Sequence, residues 1–125
     1  MDTEILAAIL DAYAYEIVFV DRSHTVRFMN RAAKERYGDA VRVGASIFNC
    51  HNENSRQKIE EFLKRADAGE CEMFENLNME KGEREFFVPV RDRSSLVIGY
   101  FERHEDYWTP DNADKSVNVP KYIAY

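Results

Sequence analysis

The 125-residue chain has little cysteine, proline, glycine or tryptophan: two, three, five and one residues. Cys50 and Cys71 lack the CxxC type of spacing, which argues against a cysteine metal site and leaves both as thiols in a reducing compartment. The few glycines build no phosphate-cradling loop, and no GxSxG nucleophile elbow occurs. No run approaches the roughly 18–20 apolar residues of a membrane span. The N-terminal MDTEILAAILDAYAY carries acidic residues where a secretory signal would carry positive ones. Positive charge is also in deficit: 17 basic against 23 acidic side chains give a net charge of −6. That balance disfavours binding to nucleic acid or to an anionic membrane. Internal repeats and heptads are missing as well, so neither a solenoid nor a coiled-coil transmitter is expected. These absences point to a cytoplasmic protein.

What is present suits one folded core: hydrophobic residues make up 45% and aromatics 13% of a chain of single-domain length. Ile5, Leu6, Ile9, Leu10 and Tyr13 form one stripe of an amphipathic N-terminal helix over residues 1–14. That stripe serves either a dimer interface or packing on the helix's own domain. Glu16–Asp21 and Thr25–Met29 read as two strands of a hairpin closed by Asp21-Arg22-Ser23-His24. A short helix over Arg31–Tyr37 stops at Gly38. Ile59, Phe62, Leu63 and Ala66 then recur at i, i+3, i+4 and i+7, the signature of a longer helix that ends near Gly69. Asn54 with Gln57, or alternatively Asn52, starts it. Cys71–Leu77, Glu85–Arg91 and Leu96–Arg103 complete an antiparallel meander, with Pro89 requiring an edge or a bulge. The fold class is α+β: a five-stranded antiparallel sheet with helices packed on one face. The domain occupies residues 15–107, and 108–125 form a C-terminal extension.

Three stretches resemble the PAS family. They are Ile17-Val18-Phe19-Val20-Asp21 through Val26-Arg27-Phe28-Met29-Asn30-Arg31-Ala32-Ala33, then Val43-Gly44 before the long helix, then Val88-Pro89-Val90-Arg91-Asp92 with Ile98-Gly99-Tyr100 and Asp106. The segment Ile47-Phe48-Asn49-Cys50-His51-Asn52-Glu53-Asn54-Ser55 is similar to a Cys-His segment of PAS-like modules found with hemerythrin-type domains. The resemblance implies a sensory domain, not an enzyme, with a ligand pocket between the sheet and the long helix. It implies haem, flavin, a small metabolite or no ligand at all, and reporting through a homodimer or a signalling partner. No output domain follows in the sequence, so an excised sensor or a standalone adaptor is expected.

Within that frame the candidate ligand-binding residues are Phe48, Cys50, His51, Ile59, Phe62, Val88, Val90 and Ile98. Ile5, Leu6, Ile9 and Leu10 are the candidate interface. His51 is the metal ligand if haem is bound, since imidazole is a common axial ligand; the competing reading is a loop histidine held by backbone. Asn49-Cys50-His51 does not supply the Asn-Cys-Arg-Phe-Leu type of motif that a flavin-adduct photosensor carries. A Cys50 thiolate activated by His51 would need a third orienting group, and none is identifiable. His24 reads as a turn residue, and His104-Glu105-Asp106 as a solvated strand end without metal-site spacing.

Overall fold

The computed structural model describes residues 2–50, 53–78 and 82–106. Helix α1 spans Thr3–Ala12, with the Asp2 carboxylate capping its first turn by accepting from the Glu4 N–H at 2.7 Å. Strands β1 (Val18–Asp21) and β2 (Val26–Met29) follow, then α2 (Arg31–Tyr37), two 3₁₀ turns (Gly38–Ala40 and Ile47–Cys50) and α3 (Glu53–Asp67). Strands β3 (Met73–Asn78), β4 (Glu83–Arg91) and β5 (Val97–Asp106) close the order. The α+β reading holds. The sheet is antiparallel throughout in the order β2-β1-β5-β4-β3, so the first hairpin and the last one meet along β1 and β5.

Local chemistry accounts for the elements. Asp21 Oδ1 accepts from the backbone of Ser23 and Thr25, which fixes the β1–β2 turn and lets His24 take φ 65°. α2 ends on Gly38 at φ 54°, a conformation that costs a side chain strain but glycine little. On α3 the i, i+3, i+4, i+7 stripe of Ile59, Phe62, Leu63 and Ala66 is buried. Two arginines fasten the C-terminal end of α3. Arg91 of β4 donates to the Ala66 and Glu70 carbonyls at 2.8 and 3.0 Å, and Arg22 forks onto Asp67 at 2.8 and 2.9 Å. Both put positive charge where the helix dipole is negative.

Pro89 lies past the end of β3, which begins with Met73 opposite Phe87, so β4 has a strand on one side only there. The strand bounds differ from those the sequence predicts. β3 starts later, at Met73, while β4 starts earlier, at Glu83, and β5 runs on to Asp106. The added residues are mostly charged and show no apolar alternation, so periodicity could not assign them. They are strand because each stands opposite a ladder partner, from Glu83↔Asp106 to Phe87↔Glu102.

The core lies between the inner face of the sheet and α3. Phe62 of α3, Phe87 of β4 and Tyr100 of β5 meet with ring centroids 5.1, 5.9 and 6.1 Å apart in tilted and edge-on geometry. Such aromatic pairs add about 0.5–1.5 kcal/mol each beyond their area burial. Ala33 of α2 and Val26, Met29 and Val20 of the first hairpin complete the buried cluster.

Candidate functional site

Strand alternation decides which side chains face inward. On β4 the inward series is Glu83, Glu85 and Phe87; on β5 it is Tyr100, Glu102 and His104; the pairs Glu85↔His104 and Phe87↔Glu102 place them side by side. Val18 and Val20 of β1 share this face. Between these strands, α3 and the segment after α2 lies a cavity of about 290 Å³. Its walls are apolar for most of their extent: Val18 and Val20, Val41 and Ile47, Ile59 from α3, and Phe87. One end is polar, formed by Glu16, Glu102 and His104, and Tyr37 and Tyr100 also line the cavity.

The polar end is a network of charges. Arg36 of α2 donates to Glu16 at 2.7 Å and lies 3.9 Å from Glu83. Burial alone would raise the Glu16 carboxyl, but the Arg36 bond, a backbone N–H and the neighbouring charges hold it below its usual range. His104 is 3% exposed. Its Nε2 is 3.7 Å from both Glu16 Oε2 and Glu102 Oε2, and its Nδ1 is 3.9 Å from Glu85 Oε1. Glu16 Oε2, Glu83 Oε1 and His104 Nδ1 are buried with no hydrogen-bond partner. Donor atoms of Glu83, Glu85 and His104 lie within 4.8 Å of one another, the three-residue group among the described residues that could hold a metal ion. Burial pushes the Tyr37 and Tyr100 hydroxyls well above their usual range, so both are neutral donors at physiological pH. His24 Nδ1 lies 3.2 Å from the Tyr100 hydroxyl, and burial lowers the His24 imidazole, favouring its neutral form.

The residues predicted from sequence scatter around this site. Ile59 lines the cavity. Phe62 is buried beside it in the aromatic cluster. Phe48 stacks on the His24 ring at 4.4 Å and under the Arg56 guanidinium at 4.3 Å, outside the cavity lining. Val88 and Val90 are corrected: they fall on the parity opposite to Phe87 and do not line the cavity. Ile98 is corrected for another reason. The register slips between Val90↔Gly99 and Arg91↔Val97, leaving Ile98 unpaired between them and 44% exposed. Cys50 closes the second 3₁₀ turn, and His51 and the extension over 108–125 lie outside the described residues. His104 is also corrected: it is buried in the network, not solvated, because β5 continues past it. Of the interface residues, Ile5, Leu6 and Ile9 are 52, 45 and 55% exposed, while Leu10 is half-buried. Sequence reasoning passed over Glu16, Tyr37, Glu83, Glu85, Glu102 and His104. The available signal was the period-2 spacing of Glu83-Glu85-Phe87 and Tyr100-Glu102-His104, which becomes informative once the two strands are put in register.

Comparison with known proteins gives a consistent result. A family model described as a PAS domain matches residues 6–95. Among solved structures, the C-terminal domain of a Streptococcus mutans protein is 20% identical with a TM-score of 0.69, over 85% of each chain. The PAS domain of BvgS from Bordetella pertussis is 17% identical with a TM-score of 0.64, over 93% of each chain. A sensory box sensor histidine kinase from Vibrio cholerae is 14% identical with a TM-score of 0.56, over 84% of this chain and 91% of that one. No curated protein matches. At these identities the structural likeness speaks for the fold alone.

Proposed function

The chain belongs to the PAS domain family, and on that premise we propose that it is a sensory module, not an enzyme, which binds a compact small molecule in the cavity between the sheet and α3. The observation that carries the reading is the cavity itself: apolar walls ending in Glu16, Glu102 and His104. Ligand sites typically combine a mostly apolar lining with a few placed polar groups. The volume of about 290 Å³ lies at the bottom of the usual ~300–1,000 Å³ range, which favours a compact ligand over a macrocycle such as haem. The acidic end selects a ligand whose polar group donates hydrogen bonds or carries positive charge. Family membership supports a role in signal transduction.

Native mass spectrometry of freshly purified protein tests this. The expected result is a bound small molecule, or an added one that raises the melting temperature; saturation 100-fold above Kd is worth about 2.7 kcal/mol. Val18→Phe, which fills the cavity from the β1 wall, should retain the fold and abolish the binding. A ligand held equally well by that variant would place it elsewhere and sink the reading.

A second reading, dimerisation through α1, is favoured by the exposure of Ile5, Leu6 and Ile9 along one stripe. The two are compatible, since a sensor that binds in the cavity still needs a surface through which to report.

A further inference from the structure

We propose that Glu83, Glu85 and His104 form a binding site for one divalent transition-metal ion of the Zn²⁺ class. The register of β4 and β5 builds it. Glu85 stands directly opposite His104, and Glu83 lies two residues along the same face. Three donor atoms, one from each residue, lie within 4.8 Å of one another. Ligand atoms sharing a tetrahedral Zn²⁺ at bonds of about 2.0–2.2 Å are about 3.3–3.6 Å apart, so side-chain rotations that draw the three donors together would close the site.

An independent observation points to a missing partner. The His104 side chain is 2% exposed, and its Nδ1 faces Glu85 without a hydrogen bond. Glu83 Oε1 is buried without one as well. A buried polar atom left unsatisfied is costly, and a single cation bound to both would satisfy them together. The opposite edge of the imidazole faces Glu16 and Glu102 carboxylates, each 3.7 Å from Nε2. At 3.7 Å these carboxylates stand just beyond hydrogen-bond length, on the side where an outer-shell carboxylate favours the proton on Nε2 and leaves Nδ1 to a metal.

Charge balance agrees. Three carboxylates, Glu16, Glu83 and Glu85, lie around His104, with the Arg36 guanidinium bonded to Glu16 and 3.9 Å from Glu83. A divalent ion offsets that excess. One imidazole with two carboxylates is a borderline donor set, suited to Zn²⁺, Mn²⁺ or Fe²⁺ and less so to Ca²⁺ or Mg²⁺, which prefer oxygen alone. Three protein ligands would leave a position for water or another donor. The site does not depend on the cavity taking an organic ligand, so each can fail without the other.

The test uses the full, tag-free chain after treatment with a chelator. Titration with Zn²⁺ by calorimetry, and with Co²⁺ by visible absorption, should show one ion per chain and a raised melting temperature. Glu85→Gln and Glu83→Gln keep the side-chain volume and should each weaken Zn²⁺ affinity at least about tenfold, since even outer-shell changes cost ~10–100-fold. Glu105→Gln, from the other face of β5, should bind as the parent does. His104→Gln is read only alongside its circular dichroism, because the residue is buried. Absence of binding at millimolar Zn²⁺ overturns the proposal, and so does binding that survives unchanged in both glutamate variants, which would place the ion on other histidines or cysteines.

Discussion

Asn30 makes four hydrogen bonds with one amide. Its Oδ1 accepts from the Ile17 and Ala33 N–H groups at 2.9 and 3.0 Å, and its Nδ2 donates to the Leu10 and Tyr15 carbonyls at 2.9 and 3.0 Å. One fully buried side chain thus caps α2, anchors the chain entering β1 and holds the end of α1. Both ends of the amide are needed, so Asn30→Asp is expected to be worse than its size suggests. It would turn a carboxylate toward two carbonyls and remove both donors. Urea unfolding should show a loss of about 2–4 kcal/mol, from two lost hydrogen bonds and a buried charge. A loss under about 0.5 kcal/mol would mean that the amide network is not what ties these elements together. The resemblance to the family marked Asn30 from sequence alone. The partners it joins were not legible, because three of the four are backbone groups remote from it in the chain.

At the scale of elements, the junction of β1 with β5 joins the two hairpins into one sheet, and Gly99 sits on it. A Cβ there would stand 2.3 Å from the Val20 carbonyl oxygen and 2.6 Å from the Phe19 ring. The end of the Phe19 ring could swing aside, but the Val20 carbonyl is backbone in the ladder and cannot. Gly99→Ala should therefore lower stability by about 2–4 kcal/mol, visible as a large drop in melting temperature. A neutral effect would show that the β1–β5 pairing is looser than its register implies. The long helix was the element most legible in sequence, because an amphipathic period of 3.6 depends on the segment itself. The ends of β4 and β5 were the least legible. Glu83-Arg84 and His104–Asp106 are strand through the pairing that runs from Glu83↔Asp106 to Glu85↔His104, and that pairing leaves no mark on either segment alone.

For the molecule as a whole, α1 is the element whose role its own contacts leave unexplained. It contributes no buried residue, although Asn30 holds its final turn. If its apolar stripe is a dimer surface, Leu6→Asp should convert a dimer to a monomer by light scattering while leaving the melting temperature of the monomeric domain nearly unchanged. A chain that is monomeric at every accessible concentration, with or without the substitution, would remove the helix as an interface. The signalling and metal readings share His104, but Val18 belongs only to the cavity and Glu83 and Glu85 only to the metal group, so variants at these positions separate them.

Sequence by itself determined the α+β class, the place of the long helix, the Asp21 turn, the Gly38 stop and the membership that the family match supports. These depend on local preference, periodicity and ordered short motifs, which travel with the chain. Only the tertiary structure decided which face of β4 and β5 lines the cavity and that Glu16, Glu83, Glu85, Glu102 and His104 converge. A shift of one residue in register exchanges the two faces of a strand, so on β4 the cavity wall is Phe87 and not Val88 or Val90. Burial then changed the chemistry of His104. A side chain that reads as a solvated strand end became one with an unmet nitrogen beside carboxylates, because β5 continues past it and Glu16, Glu85 and Glu102 close around the ring.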